Sequence, residues 1–302
     1  MTQRWSSVGL VQQVIVVGLA AAAFACWWLL RDTSPVLALL TALAVAFVHA
    51  WVLGLEFALM RWASAGDRVP PAGGAALLRA WWRESVEGVR VFGWRQPFAW
   101  RAVPDHWQPV DPARVGIVFV HGFMCNRGFW APWMREAIRR GHACAAVNLE
   151  PMDCSIDDYA DTIERAVDAM AAGTGRAPVL VCHSMGGLAA RAWLRRSGDP
   201  ARVAHLLTIG SPHAGTWLAR LSRRANGLQM RIGCDWLREL GGSAPDPSRT
   251  TCWYSDADNI VFPPSAATLP RADNRLVHGA GHVEMAFRPH VMQSSFELIG
   301  RL

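Results

Sequence analysis

The stretch APVLVCHSMGGLAARAW, residues Ala177 to Trp193, decides the fold. Its apolar run Val179 to Cys182 reads as a buried parallel strand, Leu188 to Trp193 reads as a helix, and His183-Ser184-Met185-Gly186-Gly187 joins them. The pattern is strand, sharp turn, helix. A serine on such a turn is held in a strained backbone conformation with its hydroxyl above the sheet, and the helix behind it offers free N–H groups to an oxyanion. The positions two before and two after the serine must be small because neighbouring backbone passes close to them. Here they are Cys182 and Gly186, so Cys stands in the first Gly position of G-x-S-x-G.

Outward from this unit the chain alternates strands with helices. Val115–Val120 is a nearly continuous apolar strand followed by His121-Gly122-Phe123-Met124, and Trp130–Arg140 is a helix with Pro132 in its first turn and Gly141 at its end. Ala143–Asn148 is the next strand, and Ser155 caps a helix running to about Ala172 with Asp157 and Asp158 in its first turn. Val203–Ile209 is a further strand. This alternation implies a parallel, doubly wound sheet whose site lies beyond the carboxyl ends of the strands, where Ser184 and His121-Gly122 both fall. Gly122 lets backbone approach a substrate oxygen, so the N–H groups of Phe123 and Met185 form a candidate two-donor oxyanion hole. His121 reads as a loop-bonding residue, and Cys125 as a small buried residue rather than a reactive thiol.

Two late segments offer partners for the serine. Cys252–Tyr254 reads as a short strand with Ser255-Asp256-Ala257-Asp258-Asn259-Ile260-Val261 at its carboxyl end, and Leu276–His278 reads as the last strand, followed by Gly279-Ala280-Gly281-His282. The order is serine, aspartate, histidine. His282, beyond the glycines, is preferred over His278 as the base, and either Asp256 or Asp258 is placed to orient it.

Taken together, HGF at 121–123, HSMGG at 183–187, TIGSPHAGT at 208–216, SDADNIV at 255–261 and GAGH at 279–282 resemble the α/β-hydrolase lipases. The likeness is to small bacterial triacylglycerol lipases and the related GPI inositol-deacylase group, and it runs from Arg114 to the C-terminus. It implies a catalytic triad of Ser184, Asp258 and His282, an oxyanion hole at Phe123 and Met185, and a cap over the site at about 216–246. In the cap, Trp217, Leu218, Leu221, Leu228, Met230, Trp236 and Leu237 either line an acyl pocket or pack the cap itself.

The first hundred residues read differently. The chain of 302 residues is 52% hydrophobic, and its mean hydropathy of +0.14 is high for a purely soluble protein. Leu10–Leu30 is apolar apart from Gln12 and Gln13 and is long enough, at about 1.5 Å per residue, to span about 30 Å of hydrocarbon. Arg31-Asp32-Thr33-Ser34-Pro35 breaks it, and Val36–Met60 is a second apolar run. Together they predict a transmembrane hairpin over residues 1–63 rather than a cleaved signal peptide, with Trp5, Trp27, Trp28 and Trp62 near its ends. Arg4, Arg61, Arg68 and Arg79 against Arg31 place both ends on the cytoplasmic side. Inside the second run, His49 and Glu56 fall about two helical turns apart on one face; a functional relay is one reading, and the preferred one has Glu56 reaching toward the interface and His49 packed against the partner helix. Residues 64–113 are expected to hold a linker, a helix from Ala75 to Val89 at the headgroup surface or packed on the domain, and a strand pair over Val89–Arg101 at an antiparallel sheet edge.

The net charge of +6 carries no lysine and forms no basic, aromatic-rich module, so a nucleic-acid partner is not expected. Seven cysteines with no C-x-x-C spacing make neither a disulfide ladder nor a zinc site and suit a reducing compartment. The expectation is an integral membrane protein, in a bacterial inner membrane, whose α/β-hydrolase core at 114–302 is cytoplasmic. It would cleave lipid or other carboxylic esters through an acyl-enzyme, with no cofactor or metal. The same residues would serve an acyltransferase or a thioesterase. The competing class is a non-catalytic membrane scaffold, distinguished by an inert serine.

Overall fold

A computed structural model describes residues 5–242 and 246–302. Arg4, counted above for orientation, and residues 243–245 of the cap lie outside them. Six parallel strands, β1 (Ile117–Val120), β2 (Cys144–Ala146), β3 (Val179–His183), β4 (His205–Ile209), β5 (Thr250–Ser255) and β6 (Asp273–Val277), form one sheet in the order β2-β1-β3-β4-β5-β6. The chain reverses its direction of travel across the sheet between β1 and β3, which makes their carboxyl ends the crevice where ligands bind in such sheets.

The central strands β1, β3 and β4 are buried on both faces, which is why they are apolar without alternation. Ile117, Phe119, Val179, Val181, Leu207 and Ile209 face α6 (Ala131–Arg139), α11 (His282–Ala286) and α12 (Pro289–Ile299). Val118, Val120, Leu180, Cys182 and Leu206 face α7 (Ala160–Thr174) and α8 (Met185–Ser197). Ser155 caps a single turn leading into α7, with Asp158 answering it in a capping box.

Among the described residues, the N-terminal region up to Arg90 is built from α1 (Ser7–Leu30), α2 (Pro35–Ala46), α3 (Val48–Ala63) and α4 (Gly74–Arg90). Among the described residues, α1 is long and apolar enough to cross a membrane, whereas α2 and α3 are so only jointly, across a bend of 58°. The second apolar run is therefore two helices. Its later half turns back onto the rest of the chain, where Phe57 and Met60 pack with Leu77, Ala80, Ala257 and Phe262, and the Trp81 indole donates to the Ala50 carbonyl at 2.7 Å.

The expected strand pair at Val89–Arg101 does not form. Helix α4 instead passes through a π-helical turn at Val91–Arg95 into α5 (Gln96–Phe98), and among the described residues the sheet has no antiparallel strand. An isolated antiparallel bridge, His106 to Cys144, lies beside β2. Between β4 and β5 the chain holds a short turn at Trp217–Leu221, then α9 (Ala225–Gln229) and α10 (Asp235–Gly242).

Candidate active site

Ser184 sits between β3 and α8 at φ 54° and ψ −131°, a conformation that a residue with a β-carbon adopts only under constraint. The constraint is visible. Its N–H donates to the Ile209 carbonyl of β4 at 2.9 Å, and its own carbonyl accepts from Gly187 at 3.0 Å. The small residues explain themselves: a β-carbon at Gly186 would lie 2.5 Å from the Val120 carbonyl oxygen, and Cys182 is fully buried.

The loop after β1 closes on the serine. A β-carbon at Gly122 would stand 2.6 Å from the Ser184 Cβ and 3.2 Å from its Oγ, so only glycine fits and the Phe123 amide follows directly. His121 accepts the Leu149 N–H through Nε2 at 3.0 Å and faces the Gly122 carbonyl through Nδ1 at 2.9 Å, and burial lowers its pKa to about 4. It is the loop-bonding residue that the sequence suggested. Cys125 is buried, and desolvation pushes its thiol up to about 12, so it remains an un-ionised packing residue. Met124 adopts a positive φ of 56°, and its carbonyl accepts from Gln12 of α1 at 3.0 Å.

The candidate acids and bases form two separate pairs. His282 donates through Nδ1 to Asp258 Oδ2 at 2.9 Å, and both side chains are buried. The other Asp258 oxygen accepts the Ile260 and Val261 amides, which fixes the carboxylate. His278 pairs with Asp256 at 2.7 Å, but its side chain is 79% exposed and it stands just past the end of β6 rather than within it. Only the first pair lies against the serine's neighbourhood: the His183 and His282 rings are 4.6 Å apart, and His183 Nε2 donates to the His282 carbonyl at 3.1 Å.

The family model for the alpha/beta hydrolase family matches residues 117–272, just over half of the chain. The chain belongs to the alpha/beta hydrolase family. None of the curated proteins matches the sequence. Among solved structures, the mature lipase BlEst2 of Bacillus licheniformis aligns at 20% identity and TM-score 0.55, covering 63% of this chain and 93% of that one. Lipase B of Aspergillus fumigatus aligns at 17% identity and TM-score 0.55, covering 96% of this chain and 80% of that one. At these identities the likeness is one of fold.

Electrostatically, the hydrolase holds His282 as an exception among its buried histidines. Burial opposes its protonated form, yet the Asp258 carboxylate, then Glu84 and Glu56, raise its pKa above the usual value. His183 has no such partner, and desolvation drives it well below that value.

The sequence reading missed one neighbour of this histidine and misplaced another. Glu84 of α4 is buried and accepts the Val283 and Glu284 amides at 2.9 and 2.7 Å. Glu56 turns inward to accept the Asn259 amide at 2.7 Å, rather than reaching to an interface. The one signal in the sequence was an acidic residue inside an apolar run. Nothing local marks Glu84.

The expected cap residues divide as well. Leu237 and Leu240 are buried on the α7–α8 side with Met230 and Trp236 against them, Trp217 and Leu218 pack toward α3 and Phe262, and Leu221 and Leu228 are exposed.

Proposed function

We propose that this protein is a membrane-anchored serine hydrolase that cleaves carboxylic esters through Ser184, His282 and Asp258. The observation that carries the reading is the strained Ser184, closed over by Gly122 and neighboured by a buried His282–Asp258 pair. In this mechanism Ser184 Oγ attacks the ester carbonyl while His282 Nε2 takes its proton, and Asp258 holds the imidazole by Nδ1 and stabilises the imidazolium. The tetrahedral oxyanion is received by the Phe123 and Met185 amides. His282 then returns the proton to the departing alcohol, and water activated by the same imidazole releases the acid. The residues needed are all side chains and amides of the chain, so no cofactor enters the scheme.

In this proposal residues 114–302 are the catalytic core, 64–113 join it to the anchor, and 1–63 form the anchor as a hairpin of α1 against the bent α2–α3 run. Support comes from the apolar surface that α1 and α2 leave exposed, including Val14, Val17, Phe24, Leu29, Val36 and Leu40. Both ends of the hairpin return to the catalytic domain, through Gln12 and Gln13 at one end and through Phe57 and Met60 at the other. A substrate dissolved in the lipid phase suits an enzyme held there, and the arginine count supports a cytoplasmic core.

The test is hydrolysis of p-nitrophenyl esters of increasing acyl length by detergent-purified protein beside Ser184→Ala and His282→Ala. Turnover in the parent that falls by about a thousandfold or more in both variants supports the mechanism, and turnover unaffected by Ser184→Ala refutes it.

A further inference from the structure

We infer that Glu84 of α4 and Glu56 of α3, both from the N-terminal segment rather than the hydrolase core, are positioning residues for His282, so that this segment is a working part of the active site. The inference rests on the reading of His282 as the base.

Helix α11 begins at His282, and its next two amides, Val283 and Glu284, end on the two oxygens of the Glu84 carboxylate. The approach is close enough that a β-carbon at Gly281 would lie 2.5 Å from Glu84 Oε2 and 2.8 Å from Glu84 Cβ, which assigns a reason to the glycine before the histidine. From the other side, Asn259 accepts the His282 N–H at 3.1 Å through its Oδ1 while its Nδ2 donates to Glu56. Asn259 adjoins Asp258, so Glu56 fixes a residue that holds both base and acid loops. A third tie runs from the π-helical turn, where Arg95, paired with Glu87 at 2.7 Å, lies over the Phe287 ring that follows α11.

The charges facing His282 are therefore Asp258 on the acid loop, Glu84 from α4 and Glu56 from α3, with the neutral His183 ring beside it. On its own helix, Glu284 is compensated by Arg288. Burial pushes the Glu84 pKa up to about 7, although the two amides oppose this. In their ionised forms the buried Glu84 and the half-buried Glu56 favour an imidazolium that desolvation alone would suppress.

The experiment uses the full chain in detergent micelles, with isotope-labelled histidine, in Glu84→Gln and Glu56→Gln variants. The readouts are the NMR titration of the His282 ring, the low-field Nδ1 proton, and the pH profile of p-nitrophenyl ester hydrolysis. Neutralising either carboxylate is expected to lower the His282 pKa and to move the acid limb of kcat/KM to lower pH. It should also reduce kcat by about tenfold to a hundredfold with KM nearly unchanged, the range expected when a reacting group is misplaced from afar. Asn259→Ala, which removes both the acceptor of the His282 N–H and the link to Glu56, should weaken the low-field proton at least as much as Glu56→Gln. A His282 titration and low-field proton identical to the parent's in folded Glu84→Gln and Glu56→Gln protein overturn the inference. Shifts in the titration without ester turnover in any form leave the coupling standing and refute the hydrolase reading instead.

Discussion

Gly122 and Ser184 are in such close contact that no β-carbon can be placed between them: it would meet the serine's own Cβ at 2.6 Å. The loop after β1 and the turn after β3 are therefore a single unit, built where the sheet reverses its winding. Gly122→Ala is expected to displace the serine or the Phe123 amide. Losing one oxyanion donor costs about a hundredfold or more in kcat, and the unfolding temperature should fall much less than in a core variant. Steady-state kinetics beside a thermal melt check this.

The two aspartate–histidine pairs should separate cleanly under mutation. Asp258→Asn leaves His282 without its fixed tautomer and is expected to lower kcat by about ten-thousandfold, as in serine hydrolases generally. Asp256→Asn breaks a pair whose histidine is largely exposed and should leave turnover within a few-fold of the parent. A rate measured for each variant at one ester concentration above KM is sufficient.

Stability should fall on acidification. His121, His183, His205 and His213 all have native pKa values below the usual one, with burial as the first cause. The unfolded chain takes up their protons first, so their stabilisation is complete above about 6.5 and is lost as pH falls through the native values. Glu84 works in the opposite sense: its native pKa is raised, so its contribution is full below the unfolded value of about 4.5 and is lost as pH rises to about 7. Thermal unfolding should therefore give a lower midpoint at pH 5 than at pH 7.5, and the drop should be steeper in Glu84→Gln.

The proposed anchor is testable on its own. Washing membranes with alkaline carbonate should leave the full-length protein in the pellet. An arginine in place of Val17 in α1, which costs about 2.5–3.5 kcal/mol at the centre of a span, should move part of it to the supernatant. A green fluorescent protein fused after Leu302 should fluoresce if the core is cytoplasmic.

Much of this architecture is legible in the sequence because its signals are local. The apolar strands are buried on both faces, Ser155 and Asp158 announce their cap, and Ser184, Asp258 and His282 each follow a strand end in the family's order. What is not legible arises where phase or packing is set from a distance. Val89–Arg101 looks alternating because the π-helical turn at Val91–Arg95 adds a residue to the helix and shifts its apolar face out of register. The break at Phe47 has no proline or glycine to mark it, and tertiary contacts such as Trp81 with Ala50 define it. Glu84 is two hundred residues from the amide of Glu284 that it accepts, and only the assembled fold brings them together.

The most direct test of the central claim is labelling with a fluorophosphonate followed by peptide mass mapping. A single adduct on the peptide carrying Ser184, absent in Ser184→Ala and strongly slowed in His282→Ala, is the expected result. An inert protein, or an adduct at another residue that persists in Ser184→Ala, would contradict the account.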